Sequence, residues 1–231
     1  MSEKTTLYIV RHGKTMFNTL GRAQGWSDTP LTPFGEEGIH ELGAGLKAEN
    51  IPFKAAFSSD SGRTIQTMDI IMEHLEYPNI PYLREKRIRE WCFGSMDGGF
   101  DGELFDGILP RTDAYKGKDL DNLSFEDIAR GIMEIDTAGW AEPWEKIKDR
   151  IYTGFEDIAH KLHTDGGGNA LIVSHGMTIA TFCHLVHPEN PRVRGLDNGS
   201  VTIVSYDGEQ FTVENAGLMK YREIGRKRLA K

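Results

Sequence analysis

The sequence predicts an α/β fold in three layers, with a mostly parallel central sheet flanked by helices and a capping insertion. Three observations carry this reading. Two short apolar runs, residues 7–10 and 170–174, end in polar residues, as parallel strands buried on both faces do. Longer segments carry apolar residues in steps of three and four, the period of helices that pack one face on a sheet. Strand and helix signals also alternate along the chain, which separates α/β folds from folds with segregated strands and helices.

Taken in order, residues 7–10 form the first strand and place His12 just past its end. Over residues 35–50, Ile39, Leu42 and Leu46 share a helical face, and Ile65, Met68, Met72 and Leu75 repeat the pattern after Ser61-Gly62-Arg63. From 97 to 142 the pattern lapses into scattered Gly, Asp and aromatic residues with one helical candidate at 125–133, which reads as an insertion in a single domain spanning 1–231. A long helix follows at 143–164, where Trp144, Ile147, Ile151, Phe155, Ile158 and Leu162 recur at helical spacing, Pro143 suits the first turn and Gly166-Gly167-Gly168 ends it. The strand at 170–174 then places His175 at its end. Residues 201–206 and 211–214 flank Asp207-Gly208 as a hairpin.

Composition narrows the function classes. With 39% hydrophobic and 27% charged residues the chain is an ordinary globular sequence, and no apolar stretch approaches the roughly 18 residues that span a bilayer. The start, Met1-Ser-Glu-Lys-Thr-Thr, runs into an apolar segment too short for a secretory signal, so a cytoplasmic location and no membrane partner are expected. The two cysteines, Cys92 and Cys183, suggest reduced core fillers. A formal net charge of −8 speaks against nucleic acid, with Arg226-Lys227-Arg228 read as a solvated tail.

Chemistry concentrates at three junctions. Val10-Arg11-His12-Gly13 sets a guanidinium beside an imidazole at a strand end, where α/β sheets place ligands. Arg63 follows Ser58-Ser59-Asp60-Ser61-Gly62, and His175 follows Ile172-Val173-Ser174, both at strand-to-helix junctions. Two planar guanidinium forks and two imidazoles suit a tetrahedral dianion, so the grouping asks for phosphate.

With these residues in place the chain resembles the histidine phosphatase superfamily, the group that includes cofactor-dependent phosphoglycerate mutase. The resemblance rests on Arg11-His12-Gly13, Asn18, Gly25-Trp26-Ser27-Asp28, Leu31-Thr32-Pro33-Phe34-Gly35, the block from Ser58-Ser59 to Arg63, and Ser174-His175-Gly176. It implies that His12 attacks phosphorus in line while Arg11, Arg63 and His175 hold the equatorial oxygens. Asn18 and Gln24 are expected as further phosphate contacts, and the neighbouring cations should keep His12 neutral. The resemblance also implies Glu90 as general acid and base, since Gly176 occupies the place where another branch of the superfamily carries its donor aspartate. The alternative for Glu90 is an ion pair with Arg87 or Arg89.

Within the resemblance, a phosphatase acting on a small phosphorylated substrate is the expected activity. Phosphoglycerate mutases carry basic residues after the donor glutamate, whereas Trp91, Cys92 and Phe93 stand here. The insertion is acidic, with Asp97, Asp101, Glu103, Asp106, Asp113, Asp119, Asp121, Glu126, Asp127, Glu134 and Asp136 against Arg111, Lys116, Lys118 and Arg130, a field that disfavours polyanions. Trp91, Phe93, Phe100, Phe105 and Trp140 are candidates for apolar surface around the organic part of a monoester, with core filling as their alternative. Lys14 either adds a cation to the site or points to solvent. A mutase and a non-catalytic phosphate-binding protein are the competing readings, and monomer and homodimer stay open.

Other chemistries fail on spacing. Neither cysteine has an arginine six residues on, as a cysteine phosphatase requires, because Gly98 and Glu189 stand there. The glycines of 43–48 fall inside a helical pattern and not after a strand, against a dinucleotide site. Ile172 replaces the glycine that a nucleophile elbow at Ser174 needs. The histidines fit no zinc-binding helix, and neither metal nor cofactor is expected.

Overall fold

A computed structural model describes residues 4–75, 80–120, 123–189, 193 and 195–230. Asp121, counted among the acids of the insertion, and Met1 to Glu3 lie outside the described residues. Six strands form one sheet in the order β3-β2-β4-β1-β5-β6. They are β1 (Thr5–Arg11), β2 (Phe53–Ser58), β3 (Tyr82–Arg84), β4 (Gly168–Ser174), β5 (Val201–Tyr206) and β6 (Phe211–Leu218). The first four run parallel, and β5 and β6 extend the sheet antiparallel.

Strand alternation sorts the core into two layers. Leu7 and Ile9 of β1, with Ala170 and Ile172 of β4, face a cluster that holds Ile151, Phe155 and Phe182. Val10, Leu171 and Val173 face the other side, against Ile39, Leu42, Leu46, Met68 and Ile71. The helices supplying these partners are α2 (Pro33–Ala48) and α3 (Gly62–Leu75) on one face, and α5 (Trp144–Thr164) and α6 (Gly176–Val186) on the other. A short α1 (Met16–Leu20) follows β1, α4 (Phe125–Ile135) lies in the acidic segment, and α7 (Lys220–Leu229) closes the described chain.

α7 corrects one expectation in part. The basic run at 226–228 is exposed, as expected, but helical rather than a tail, and Arg226 joins Arg222 in ion pairs to Glu41, a nearly buried carboxylate on α2. The helices meet closely, since a Cβ at Gly45 would fall 1.8 Å from the Tyr221 carbonyl oxygen and one at Gly225 1.7 Å from that of Glu41. Gly43 and Gly45, the false dinucleotide match, are thus helix-packing residues, Gly43 lying against His74. Much of the insertion's acidity is also spent locally. Asp97 accepts from the backbone N–H of Gly25, Trp26, Ser27 and Phe93, and Asp136 from those of Ser95, Ala138, Trp140 and Ala141. Among the described residues, no helix is long and apolar enough to cross a membrane.

The helices after β1 and β4 pack on opposite faces of the sheet. This opens a crevice at the carboxyl ends of those two neighbouring strands, the position where open α/β sheets bind ligands.

Candidate active site

Register brings the three predicted junctions together. Arg11 pairs with Ser174 and Ser58 with Val173, so the residues that follow leave the sheet side by side. The N–H of His12 donates to the Ser174 carbonyl, and the His12 and His175 rings lie edge to face with centroids 5.4 Å apart.

Hydrogen bonds fix both imidazole tautomers. His12 Nδ1 lies 2.8 Å from the Gly13 carbonyl oxygen, which can only accept, so Nδ1 carries the proton and Nε2 keeps its lone pair. At His175, Nδ1 accepts from the Arg63 guanidinium at 2.9 Å, and Nε2–H therefore donates to Ser59 Oγ at 2.7 Å. Burial, then Arg63 and other nearby cations, push both imidazoles well below their ordinary range, and His12 is neutral as expected.

Arg63 is fully buried and wrapped by the loop at 24–28. Its guanidinium donates to the carbonyls of Gly25 and Ser27 and pairs with Asp28 at 2.9 Å. Gly62 makes room for that carboxylate, since a Cβ there would sit 2.5 Å from Asp28 Oδ2. Arg11 donates to the Leu196 carbonyl. Among the described residues, the Nε–H groups of both arginines are buried with no hydrogen-bond partner. Such donors are what an anion would satisfy, because an unpaired buried donor costs about 1–3 kcal/mol.

Glu90 makes no ion pair with Arg87 or Arg89, which bind Glu85, Asp157 and Asp60 instead. Its Oε1 accepts from the N–H groups of Trp91 and Thr178 and from Thr178 Oγ1, and its Oε2 from Met177 N–H alone. Met177 and Thr178 open α6, so the carboxylate sits on the unpaired donors of a helix N-terminus.

A cavity of about 450 Å³ opens on this group. Its wall includes Arg11, His12, Asn18, Gln24 and Glu90, while Arg63 and His175 are fully buried next to His12 and do not line it. Asn18 Oδ1 accepts from Thr15 N–H and Asn198, which leaves its amide N–H groups for the cavity. Gln24 is buried rather than solvated, its carbonyl accepting from Thr15 Oγ1. Among the aromatic candidates Phe93 and Phe105 line the cavity, Trp91 fills the core, and Phe100 and Trp140 are exposed outside it. Lys14 belongs to a separate cavity and lies over the Phe34 ring. Both cysteines are buried, and burial pushes Cys183 up to about 12, far from a reactive thiolate.

The sequence profile of the histidine phosphatase superfamily (branch 1) matches residues 7–218. The chain belongs to this superfamily. It is 29% identical to a broad-specificity phosphatase of Saccharomyces cerevisiae over 215 residues, 91% of this chain and 84% of that protein. It is 27% identical to a Salmonella choleraesuis protein named "Probable phosphoglycerate mutase GpmB" over 220 residues, 91% and 92% of the two chains. The crystal structure of a phosphoglycerate mutase from Bacillus anthracis superposes with a TM-score of 0.89 at 35% identity, covering 97% of this chain and 98% of that one.

Three features of this superfamily member escape sequence reasoning. Arg150 of α5 donates to the carbonyls of Arg87, Arg89 and Glu90 while Glu142 holds it in a nearly buried ion pair, and so pins the segment that carries Glu90. Asn198 ties the His12 carbonyl to Asn18. Phe125 and Ile128 reach the cavity from α4. The first two act through backbone carbonyls, which no residue pattern announces. The apolar face of α4 was visible, but not what it would cover.

Proposed function

We propose that this chain is a phosphatase of small phosphate monoesters that works through a covalent phosphohistidine on His12. The observation that carries the reading is a pair of buried Nε–H donors, on Arg11 and Arg63, with no partner among the described residues, in the same cluster as His12, whose Nε2 keeps its lone pair. In the first step Nε2 of His12 attacks phosphorus, the Nε–P bond forms and the ester P–O bond breaks. Protonated Glu90 passes its proton to the departing alkoxide. Charge on the equatorial oxygens is met by Arg11 and Arg63, with Asn18 and Gln24 as further donors, whereas His175, expected as a phosphate contact, gives its Nε2–H to Ser59 and accepts from Arg63 at Nδ1, and so positions Arg63. In the second step Glu90 takes a proton from water as it attacks the phosphohistidine, releasing inorganic phosphate and restoring His12. The segment at 97–142 acts as the cap of one catalytic domain, contributing Asp101, Phe105, Phe125 and Ile128 to the wall.

Hydrolysis is favoured over isomerisation by what surrounds the phosphate end. Among the described residues, the cavity wall beyond Arg11 holds one further cation, Arg22, against Phe93, Phe105, Phe125, Ile128, Met177 and Leu196. A mutase must grip a bisphosphate in two orientations, and the described part of this wall offers little for a second dianion. Mutase activity is the second reading, supported by the 35% identity to the Bacillus anthracis enzyme.

The test is turnover of phosphate monoesters without added metal, beside 3-phosphoglycerate with and without 2,3-bisphosphoglycerate, reading inorganic phosphate and 2-phosphoglycerate together. Phosphate release with negligible isomerisation is expected, as is an acid-labile, base-stable phosphoryl label that His12→Ala abolishes. Rapid bisphosphoglycerate-dependent isomerisation would establish the mutase. Label retained in His12→Ala would remove the nucleophile assignment.

A further inference from the structure

The wall facing the organic part of the substrate holds a carboxylate, Asp101, with no hydrogen-bond partner among the described residues. Asp101 lines the cavity with Arg11 and His12, and its side chain makes no hydrogen bond and no ion pair among the described residues. Its backbone N–H donates to the Gly21 carbonyl, which fixes the residue in place and leaves the side chain unengaged. Asp101 differs in this from Asp97 and Asp136, whose oxygens are taken up by backbone N–H groups. Three phenylalanine rings share the wall with it: Phe93, Phe105 and Phe125, the first two edge to face with centroids 6.1 Å apart. A carboxylate and aromatic rings lining one cavity suit an organic cation, through charge from the first and ring quadrupoles from the second.

We propose that the alcohol part of the substrate carries an ammonium group, held by Asp101 against the rings of Phe93, Phe105 and Phe125. The proposal rests on the phosphatase reading and names the substrate class of that same site: a phosphate monoester of an amino alcohol. Its two ends answer two of the charges in the cavity wall, phosphate to Arg11 and ammonium to Asp101. A neutral hydroxyl would satisfy the carboxylate but would gain nothing from the rings. Burial raises the Asp101 carboxyl while Arg11 lowers it, as fits an under-solvated acid in want of a counter-charge. The competing feature is Arg22, whose guanidinium lies over the Phe100 ring at 4.2 Å and donates to the Gly98 carbonyl. A carboxylate-bearing ester would use Arg22 instead.

Phosphocholine and 3,3-dimethylbutyl phosphate have the same shape and differ by one positive charge, so their kcat/KM ratio isolates recognition of the cation. In the wild type the ratio should favour phosphocholine by about tenfold or more. In Asp101→Asn it should collapse toward one. Both esters are read on one preparation, so the ratio is independent of how much of the variant folds. A wild-type ratio near one, a ratio unchanged in Asp101→Asn, or a clear preference for 3-phosphoglycerate hydrolysis over both esters would each overturn the ammonium site while leaving the phosphatase standing. Release of phosphate from none of the three would overturn both.

Discussion

In the proposed mechanism Glu90 both gives and takes a proton, yet three of its four hydrogen bonds fall on one oxygen. Oε1 is held by Trp91, Thr178 N–H and Thr178 Oγ1, and Oε2 by Met177 N–H alone, so Oε2 is the oxygen with capacity left for the reaction. Glu90→Gln keeps the size of the side chain and removes the proton chemistry. For alkyl phosphates, whose leaving alkoxides need protonation, kcat should fall by about 10²–10⁴-fold. With 4-nitrophenyl phosphate the leaving group needs no proton, so the first step survives while hydrolysis of the phosphohistidine stalls. Rapid-quench kinetics should then show a burst of nitrophenol close to one equivalent per site, followed by slow turnover. A uniform loss with no burst would place Glu90 outside proton transfer. At this scale the sequence was legible where chemistry lies in side-chain type and spacing, as for Arg11, His12, Arg63 and His175. It was not legible where a residue acts through the backbone of a distant segment, as Arg150 does on the carbonyls around Glu90.

Among the elements, those with strong periodicity were readable. The expected helices at 35–50 and 143–164 correspond to α2 and α5, and the expected hairpin to β5 and β6. β3 was missed because it is three residues long, with Leu83 and Arg84 exposed, and so carries no apolar run. α7 was missed because its sequence is dominated by charge, and it is held to the protein by ion pairs to Glu41, by glycine-mediated contact and by the single buried ring of Tyr221 rather than by a full apolar stripe. That contact yields a prediction. A Cβ at Gly225 would meet the Glu41 carbonyl oxygen at 1.7 Å, and backbone cannot yield as a flexible side chain can, so α7 must move away from α2. Gly225→Ala favours an isolated helix by about 1 kcal/mol, but the overpacking costs about 1–3 kcal/mol. Urea denaturation should show a net loss of stability, with Arg226 freed from Glu41. A stabilised variant would mean that α7 contributes little to the fold.

Across the whole molecule, the site's demand for neutral imidazoles sets the acid limit of stability. His12 and His175 are buried, and their folded-state values lie well below the 6.5 they have when unfolded, from desolvation first and then from nearby cations such as Arg63. Between 6.5 and those depressed values the unfolded chain binds protons that the folded chain refuses, so stability is fully present above about pH 6.5 and falls as pH drops below it. Two such groups give a slope of up to roughly 3 kcal/mol per pH unit. His74, partly exposed and lowered by burial and His40, adds a smaller slope of the same sign. Glu41 and Asp60, held down by their arginine partners, act in the same direction but only near and below their ordinary values of 4.5 and 3.8, so the window between pH 6.5 and 5 belongs to the histidines. Urea midpoints measured at pH 7.5, 6.0 and 5.2 in phosphate-free buffer should fall steeply across that window. His175→Gln, which removes one of the two buried titrations, should lower stability at pH 7.5 yet show a markedly shallower decline. Parallel declines for wild type and variant would mean that His175 is protonated in the folded protein. Inorganic phosphate should oppose the loss, because an anion on Arg11 and Arg63 stabilises only the folded state and offsets the repulsion that keeps His12 neutral. A midpoint at pH 6.0 insensitive to millimolar phosphate would show that the orphaned guanidinium donors are not an anion site, and would count against the phosphatase and mutase readings alike.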